Sequence, residues 1–214
     1  MRALTSTDMH RSLVPQALWP ATREQVKFTA GGDLYFRYLD RIESMFDRRS
    51  KTFGLGLWVW GDNGRGKTGA AVVALKLALA HGHSALFLPA VELVRAKLDR
   101  RMFDEEEGVL LFDRAKHVKF LVLDDFGKEF HDGKGLFEVV IEELIRFRVA
   151  ARLPTWITAN VSYSKAADPE EPMYRRSLLE AVKERTYPVK VDGPDWRVDL
   201  VMEAVDSLRE DADD

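Results

Sequence analysis

The sequence predicts an α/β fold, a three-layer sandwich in which helices cover both faces of a mostly parallel, five-stranded sheet. Three observations predict it. Short apolar runs alternate with stretches of helical periodicity, which is typical of parallel sheets with right-handed crossovers. A glycine-rich loop follows the first apolar run and opens an alanine-rich helix. In the run at residues 119–125, four apolar residues at 120–123 are followed by two aspartates, as expected for a strand buried on both faces.

The composition is that of one soluble globular domain. Of 214 residues, 32 are Lys or Arg and 35 are Asp or Glu, and this net charge of −3 does not by itself indicate nucleic-acid binding. The absence of cysteine excludes disulfides and thiolate zinc sites. No apolar run reaches the roughly 20 residues that cross a bilayer, and the N-terminus lacks the apolar core of a secretory signal. We therefore expect a cytoplasmic protein with no membrane partner.

The predicted elements follow one another in this order. An irregular N-terminal lead-in occupies residues 1–30, and a helix then runs from its N-cap Asp33 to about Arg49, with apolar residues at helical spacing. The main domain is expected at residues 31–200, and an acidic tail at 201–214. The predicted strands are residues 55–61, 84–89, 119–125, 154–160 and 187–191; further helices are 67–81, 91–101 and 136–153; and residues 162–171 are predicted to be an exposed loop.

The segment GDNGRGKT, residues 61–68, matches the phosphate-binding pattern G-x-x-x-x-G-K-[ST]. Glycines let the backbone turn its N–H groups toward phosphate oxygens, and the following helix directs its positive end at the same anion. Lys67 is predicted to bind the β- and γ-phosphates, and the Thr68 hydroxyl to bind Mg²⁺. The sequence therefore predicts a P-loop NTPase that binds ATP and Mg²⁺, the alternative being a glycine-rich turn with a surface lysine. The predicted nucleotide-binding residues are Gly61, Asn63, Gly64, Arg65, Gly66, Lys67, Thr68 and Gly69.

Two aspartates and an asparagine close the third and fourth predicted strands. Ligands of open α/β sheets lie beyond the carboxyl ends of the strands, so Asp124 and Asp125 are predicted to face the phosphate crevice. Asp124 is the predicted Mg²⁺ ligand, and Asp125 the residue that orients and polarises the attacking water. Asn160 is predicted to bond to the γ-phosphate or to that water. Each also fits a plain structural role, since polar residues commonly begin turns.

Several segments carry a resemblance to a known family. They are GDNGRGKT, then FLVLDDFGKE at residues 120–129, LPTWITANVS at 153–162 and VKVDGPDWR at 189–197, with LVPQALWPAT at 13–22 as a lead-in. The sequence resembles the AAA+ ATPases of the DnaC/IstB group, which are helicase loaders and transposition helper ATPases. The first segment is generic to NTPases, whereas the second and third together are more specific.

The resemblance implies an AAA+ fold of the ASCE type, with Lys67 and Thr68 in Walker A, Asp124 and Asp125 in Walker B, and Asn160 as sensor 1. It also implies ATP hydrolysis coupled to assembly on DNA as a ring or helical oligomer. The implied partners are a hexameric replicative helicase, single-stranded DNA and further copies of this chain.

Members of the group usually carry an arginine a few residues before the last strand, which reaches into the ATP site of the neighbouring subunit. The position that aligns with it here is Ala181. Arg185, Arg175 or Arg176 can substitute, because the reach of an arginine tolerates some displacement, and Arg185 is the predicted catalytic arginine. Arg197 matches the terminal arginine of the group and is predicted to sense nucleotide. The alternative for the arginines near position 181 is a solvated helix face.

Contact with DNA is expected between the second and third strands, where Lys97, Arg100 and Arg101 lie beside Phe103. The acidic residues 104–107 follow at once and would repel DNA, and mixed charges on a helix most often form a solvated face. Helicase loaders usually carry a separate N-terminal region that grips the helicase. Here the lead-in and first helix take up most of the residues before the phosphate loop, so a very short segment makes that contact or the client differs.

Other functions remain open from the sequence. A transposition helper ATPase is the near relative of the helicase loader. A small-molecule P-loop kinase would need a mobile lid, for which MYRRS at residues 173–177 is a candidate, but the paired aspartates and Asn160 suit water activation better than transfer to an acceptor. A nucleotide-gated binding module that hydrolyses little is the third alternative, because an alanine stands at position 181.

Overall fold

The structure, a computed structural model, describes residues 1–98, 105–127, 135–168, 170 and 173–195. The strands are β1 Gly56–Trp60, β2 Ala85–Pro89, β3 Phe120–Phe126, β4 Thr155–Ala159 and β5 Thr186–Lys190. They form one sheet in the order β2–β3–β4–β1–β5, and every pairing within it is parallel. All five predicted strands are therefore confirmed, and the sheet is parallel throughout.

The helices alternate with these strands along the chain. Within the described ranges, none has the length and hydropathy needed to cross a bilayer. The helices are α1 Ser6–Arg11, α2 Gly32–Asp40, α3 Lys67–Ala80, α4 Ala90–Leu98, α5 Glu105–His117, α6 Leu136–Ala150, α7 Tyr163–Ala166 and α8 Arg176–Arg185, with short 3₁₀ helices at Gln16–Leu18 and Ile42–Met45.

The core has two halves, one on each face of the sheet. Successive side chains of a strand point to opposite faces, so Leu57 and Val59 join one cluster while Trp58 joins the other. Buried residues of α2 and α3 belong to the first cluster, and buried residues of α4, α6 and α8 belong to the second. The predicted three-layer sandwich is thus confirmed.

Three local predictions were wrong. The helix expected from Asp33 to Arg49 begins after the N-cap Gly31 and ends at Asp40, where a 3₁₀ helix takes over. The lead-in expected to be irregular contains α1, because Thr5 and Asp8 cap each other's backbone N–H groups. The loop expected to be exposed contains α7, whose N-cap Ser162 accepts a hydrogen bond from the N–H of Lys165. Local capping explains the second and third cases.

Helices α5 and α8 were not predicted, and α6 ends three residues earlier than expected. A buried arginine of α6 explains how α5 is held in place. Arg148 is fully buried, and its guanidinium donates hydrogen bonds to the carbonyls of Ala115, Val118 and Pro154 and to the Thr155 hydroxyl, at 2.7–2.9 Å. This one side chain therefore joins the end of α5, helix α6 and the start of β4. Burial lowers its pKa to about 9, so it stays charged at neutral pH.

We predict that Arg148→Met lowers the free energy of unfolding by about 2–4 kcal/mol, because several buried carbonyls lose their donors. Urea denaturation followed by circular dichroism measures this change. Arg146→Met is the matched control, since Arg146 lies on the same helix but is half exposed and pairs with Glu142. Its effect should stay below about 1 kcal/mol. Equal effects of the two substitutions would contradict the role given to Arg148.

Candidate functional site

The glycine-rich loop lies between the end of β1 and the first residue of α3. Gly61 packs against the segment that follows β5, where a Cβ atom would lie only 2.2 Å from the carbonyl oxygen of Val191. Any side chain at this position would push the two segments apart. Gly66, with a φ of 77°, is the N-cap of α3, so the loop ends at the positive end of a 14-residue helix.

Lys67 lies within the loop and is buried. Its ammonium donates hydrogen bonds to the carbonyls of Gly61 and Asp62, at 2.8 and 2.7 Å. The lysine therefore places a positive charge at the centre of the loop and holds the two ends of the loop together.

Thr68 and Asp124 meet at the entrance to the loop. The Thr68 hydroxyl lies 3.0 and 3.2 Å from the two carboxylate oxygens of Asp124, a side chain that is only 6% exposed. A hydroxyl and a carboxylate are the oxygen ligands that Mg²⁺ uses beside bound phosphates. The residues present therefore fit a magnesium ion.

Asp125 and Asn160 line the same cavity as the loop, and this cavity has a volume of about 440 Å³. Strand order explains why Asn160 lies beside the loop, because β1 and β4 are neighbours and Trp60 pairs with Ala159, the residue before Asn160. Asp125 joins them because β3 is the other neighbour of β4. The Trp58 indole of β1 donates a 3.1 Å hydrogen bond to the carbonyl of Val161, which fixes the chain just beyond Asn160.

The lead-in forms the opposite wall of the cavity. Its wall is mostly apolar, whereas the loop side is polar, so the cavity suits a ligand with a flat apolar part and a charged part. Lys76 of α3 holds this wall in place, because its ammonium donates to the carbonyls of Trp19 and Ala21 at 2.9 and 2.7 Å. The lead-in residues that line the cavity are Ala17, Leu18, Pro20, Ala21, Thr22, Gln25, Val26 and Phe28.

Arg65 is in the loop, but its side chain is directed to the segment that follows β5. The guanidinium donates a 2.7 Å hydrogen bond to the carbonyl of Gly193 and lies 3.3 Å from the carboxylate of Asp192. The Asp195 carboxylate packs against Gly64, which has a φ of 80°, and lies 2.2 Å from where a Cβ atom would be. The loop and this segment thus form one unit.

Among the residues that the structure describes, the predicted arginines Arg175, Arg176 and Arg185 do not line this site. Ala181 is buried in the cluster that includes residues of α6, so its side chain does not face outwards. Arg185 ends α8 just before β5, and β5 begins opposite Gly56, at the sheet edge away from the loop. Arg175 and Arg176 pair with glutamates of α6 and α8. Arg197 lies outside the described residues.

The proposed DNA-contacting segment is described only in part. The Lys97 ammonium pairs with Glu143, which also pairs with Lys116, and lies 3.7 Å from the centre of the Phe112 ring, so it is engaged within the fold. Arg100, Arg101 and Phe103 lie outside the described residues.

Three residues of the site were not predicted: Thr158, Trp58 and Lys76. Thr158 carries a weak signal, because a hydroxyl interrupts an apolar strand two residues before Asn160. In the sequence, Trp58 has the pattern of an ordinary core residue, and Lys76 that of a surface lysine on a helix. Only their hydrogen bonds across the fold distinguish them.

The fold and the loop together define a P-loop architecture, with a five-stranded parallel sheet covered by helices on both faces. No family model matches the sequence, and no curated protein shows a significant match to it.

Solved structures do match, and they confirm the predicted likeness in fold to the DnaC helicase loader. DnaI superposes with a TM-score of 0.68 at 23% identity, over 84% of this chain and 95% of that one. The DnaC helicase loader superposes with a TM-score of 0.65 at 22% identity, over 83% and 100%. A putative primosome component from Streptococcus pyogenes superposes with a TM-score of 0.68 at 19% identity, over 90% of this chain and 99% of that one. At these identities the likeness is one of fold.

We predict that Lys76→Met loosens the lead-in, because the carbonyls of Trp19 and Ala21 lose a charged donor. Trypsin should then cleave after Arg23 about tenfold faster, since cleavage follows the population of the locally opened state. Mass spectrometry of timed digests measures this rate. Lys51→Met, at an exposed loop position, is the control and should leave the rate unchanged. Similar rates for both variants would show that Lys76 does not hold the wall.

Proposed function

We propose that this chain is an AAA+ ATPase that binds ATP with Mg²⁺ and acts as an accessory protein of DNA replication, loading or remodelling a hexameric helicase on single-stranded DNA. The observation that carries the proposal is the contact of the Thr68 hydroxyl with the Asp124 carboxylate at the entrance of the phosphate loop. Asp125 and Asn160 line the cavity beside it. This arrangement suits attack by water on a terminal phosphate.

Each group has a distinct chemical task in this proposal. The loop N–H groups and Lys67 bind the phosphate oxygens, while Thr68 and Asp124 hold Mg²⁺. When bound, Mg²⁺ neutralises charge on the β- and γ-phosphates. Asp125 orients the attacking water and accepts its proton, and the Asn160 amide holds this water or a γ-phosphate oxygen in place.

The remaining loop residues and the lead-in would complete the nucleotide site. Asn63, Gly64, Gly66 and Gly69 line the cavity and offer their backbone to the phosphates. Arg65 contributes through its backbone, because its side chain is engaged by Gly193 and Asp192. The apolar lead-in wall suits the base of the nucleotide.

Hydrolysis is proposed to require a second copy of the chain. Among the described residues, Arg65 is the one arginine that lines the cavity, and its side chain is directed elsewhere. Arg185 is partly exposed, immediately precedes the last strand and lies at the far edge of the sheet, so it can act only in the site of a neighbouring subunit. An arginine supplied in trans is worth roughly 10³-fold or more in other P-loop enzymes.

The proposed replication role is supported by the solved structures, since DnaI, the putative primosome component and the DnaC helicase loader match over 95%, 99% and 100% of their own chains. DnaA bound to AMPPCP and single-stranded DNA also matches, with a TM-score of 0.62 at 14% identity, over 90% of this chain and 56% of that one. A transposition helper remains the near alternative. A kinase lid at residues 173–177 has no support, because Tyr174 packs in the core against Phe126 and α8 begins at Arg176.

We predict that wild-type protein releases phosphate from ATP without any acceptor, and that Lys67→Ala lowers kcat/KM by about 100-fold or more, since it removes about 3 kcal/mol of phosphate binding. Lys165→Ala, at an exposed lysine of α7, is the control. Steady-state turnover is measured at several protein concentrations, with and without single-stranded DNA. Turnover that rises when single-stranded DNA is added, and that rises more than in proportion to protein concentration, supports the DNA-coupled oligomer. Unchanged turnover in Lys67→Ala would refute the site, and tight binding without turnover would favour the nucleotide-gated module.

A mixing experiment tests the arginine in trans. Arg185→Ala and Lys67→Ala should each be nearly inactive alone, but Lys67→Ala chains can supply Arg185 to the intact loops of Arg185→Ala chains. In a random equimolar mixture about a quarter of all sites then combine both groups, so about a quarter of wild-type turnover should return. Arg176→Ala is the control and should stay active by itself. A mixture that gains nothing would exclude Arg185 from this role.

A further inference from the structure

The strands β3 and β4 lose their register beside the candidate site. Leu123 pairs with Ile157, and the next paired residue of β3, Phe126, faces Ala159. Two residues of β3, Asp124 and Asp125, therefore lie opposite the single residue Thr158. This is a β-bulge, which re-aims side chains and is common beside active sites.

The Thr158 side chain is 1% exposed and binds both aspartates. Its hydroxyl oxygen accepts the backbone N–H of Asp125 at 2.9 Å, and the hydroxyl donates to Oδ1 of Asp124 at 2.6 Å. A hydroxyl has one hydrogen and two lone pairs, so it can make both bonds at once. The shorter bond is typical of a hydroxyl that donates to a carboxylate.

These two bonds have a consequence for where the carboxylates point. In a regular strand, neighbouring side chains point to opposite faces of the sheet. Here Asp125 takes a φ of 57°, in the left-handed region, and the bond from its N–H to Thr158 stabilises this conformation. As a result Asp124 reaches Thr68 while Asp125 lines the cavity.

We propose that Thr158 is a positioning residue that sets the direction of both carboxylates, the one that holds Mg²⁺ and the one that activates water. The proposal rests on the proposed ATPase function. Because Thr158 engages Oδ1, it restricts rotation of the Asp124 carboxylate and so presets it for the metal. Thr158 of β4 also lies two residues before Asn160, so the strand that binds both acids leads directly into the residue that carries the amide.

The test compares Thr158→Val, which keeps the shape but removes the hydroxyl, with Thr158→Ser, which restores it. Binding of a fluorescent ATP analogue is measured while Mg²⁺ is titrated, and again in EDTA. Thr158→Val should raise the Mg²⁺ concentration for half-maximal binding by about 10-fold or more, as is usual when a residue that orients a metal ligand is lost. Binding in EDTA should change less than about twofold, and kcat should fall by about 10-fold or more. Thr158→Ser should stay within about threefold of wild type on every measure.

Thr155→Val is the matched control, because Thr155 is also buried on β4 but its hydroxyl binds Arg148. It should lower stability without changing the Mg²⁺ dependence. If Thr158→Val does not fold, Thr158→Ala serves the same comparison. A folded Thr158→Val with wild-type Mg²⁺ dependence would overturn the proposal, and so would equal losses in Val and Ser. Wild-type protein that shows no Mg²⁺-dependent binding would refute the ATPase function and with it this proposal.

Discussion

The buried carboxylate of Asp124 joins three segments of the chain, and the arrangement of the candidate site depends on it. It accepts hydrogen bonds from Thr68 at the start of α3 and from Thr158 on β4, while it belongs itself to β3. A carboxylate taken out of water is unfavourable unless polar partners compensate the lost hydration. The two hydroxyls provide part of that compensation, and so the phosphate loop, β3 and β4 are held in one geometry.

The parallel sheet supplies the second constraint. All carboxyl ends lie at one edge, and the order β2–β3–β4–β1–β5 makes β4 the neighbour of both β1 and β3. The loop after β1, the aspartates of β3 and Asn160 after β4 therefore meet without any long-range loop to bring them together. The lead-in and the segment after β5 complete the site from outside the sheet, the first held by Lys76 of α3 and the second by Arg65 of the loop.

Sequence patterns predicted the strands, the phosphate loop and the residues at the strand ends because each depends on local features. These features are apolar runs, glycines and polar residues at the ends of the apolar runs. The bulge at Asp124 and Asp125 could not be predicted, because the sequence of a strand that is apolar on both faces does not reveal its register against β4. Arg148 was missed for a related reason. A charged residue in a helix ordinarily indicates an exposed face, and only the carbonyls that converge on it make a buried guanidinium stable.

In the proposed function, the same topology separates nucleotide binding from hydrolysis. Everything proposed to bind ATP lies at the carboxyl edge of the sheet, within one chain. Arg185 precedes β5 and therefore lies at the opposite edge, about 15 Å away along a strand of five residues. A side chain cannot cross that distance through a packed core, so an arginine from this position completes a site only across an interface. A single chain would then suffice to bind ATP, whereas its hydrolysis would report that copies have assembled, which is the property that a loader needs if it is to act only once it is in place.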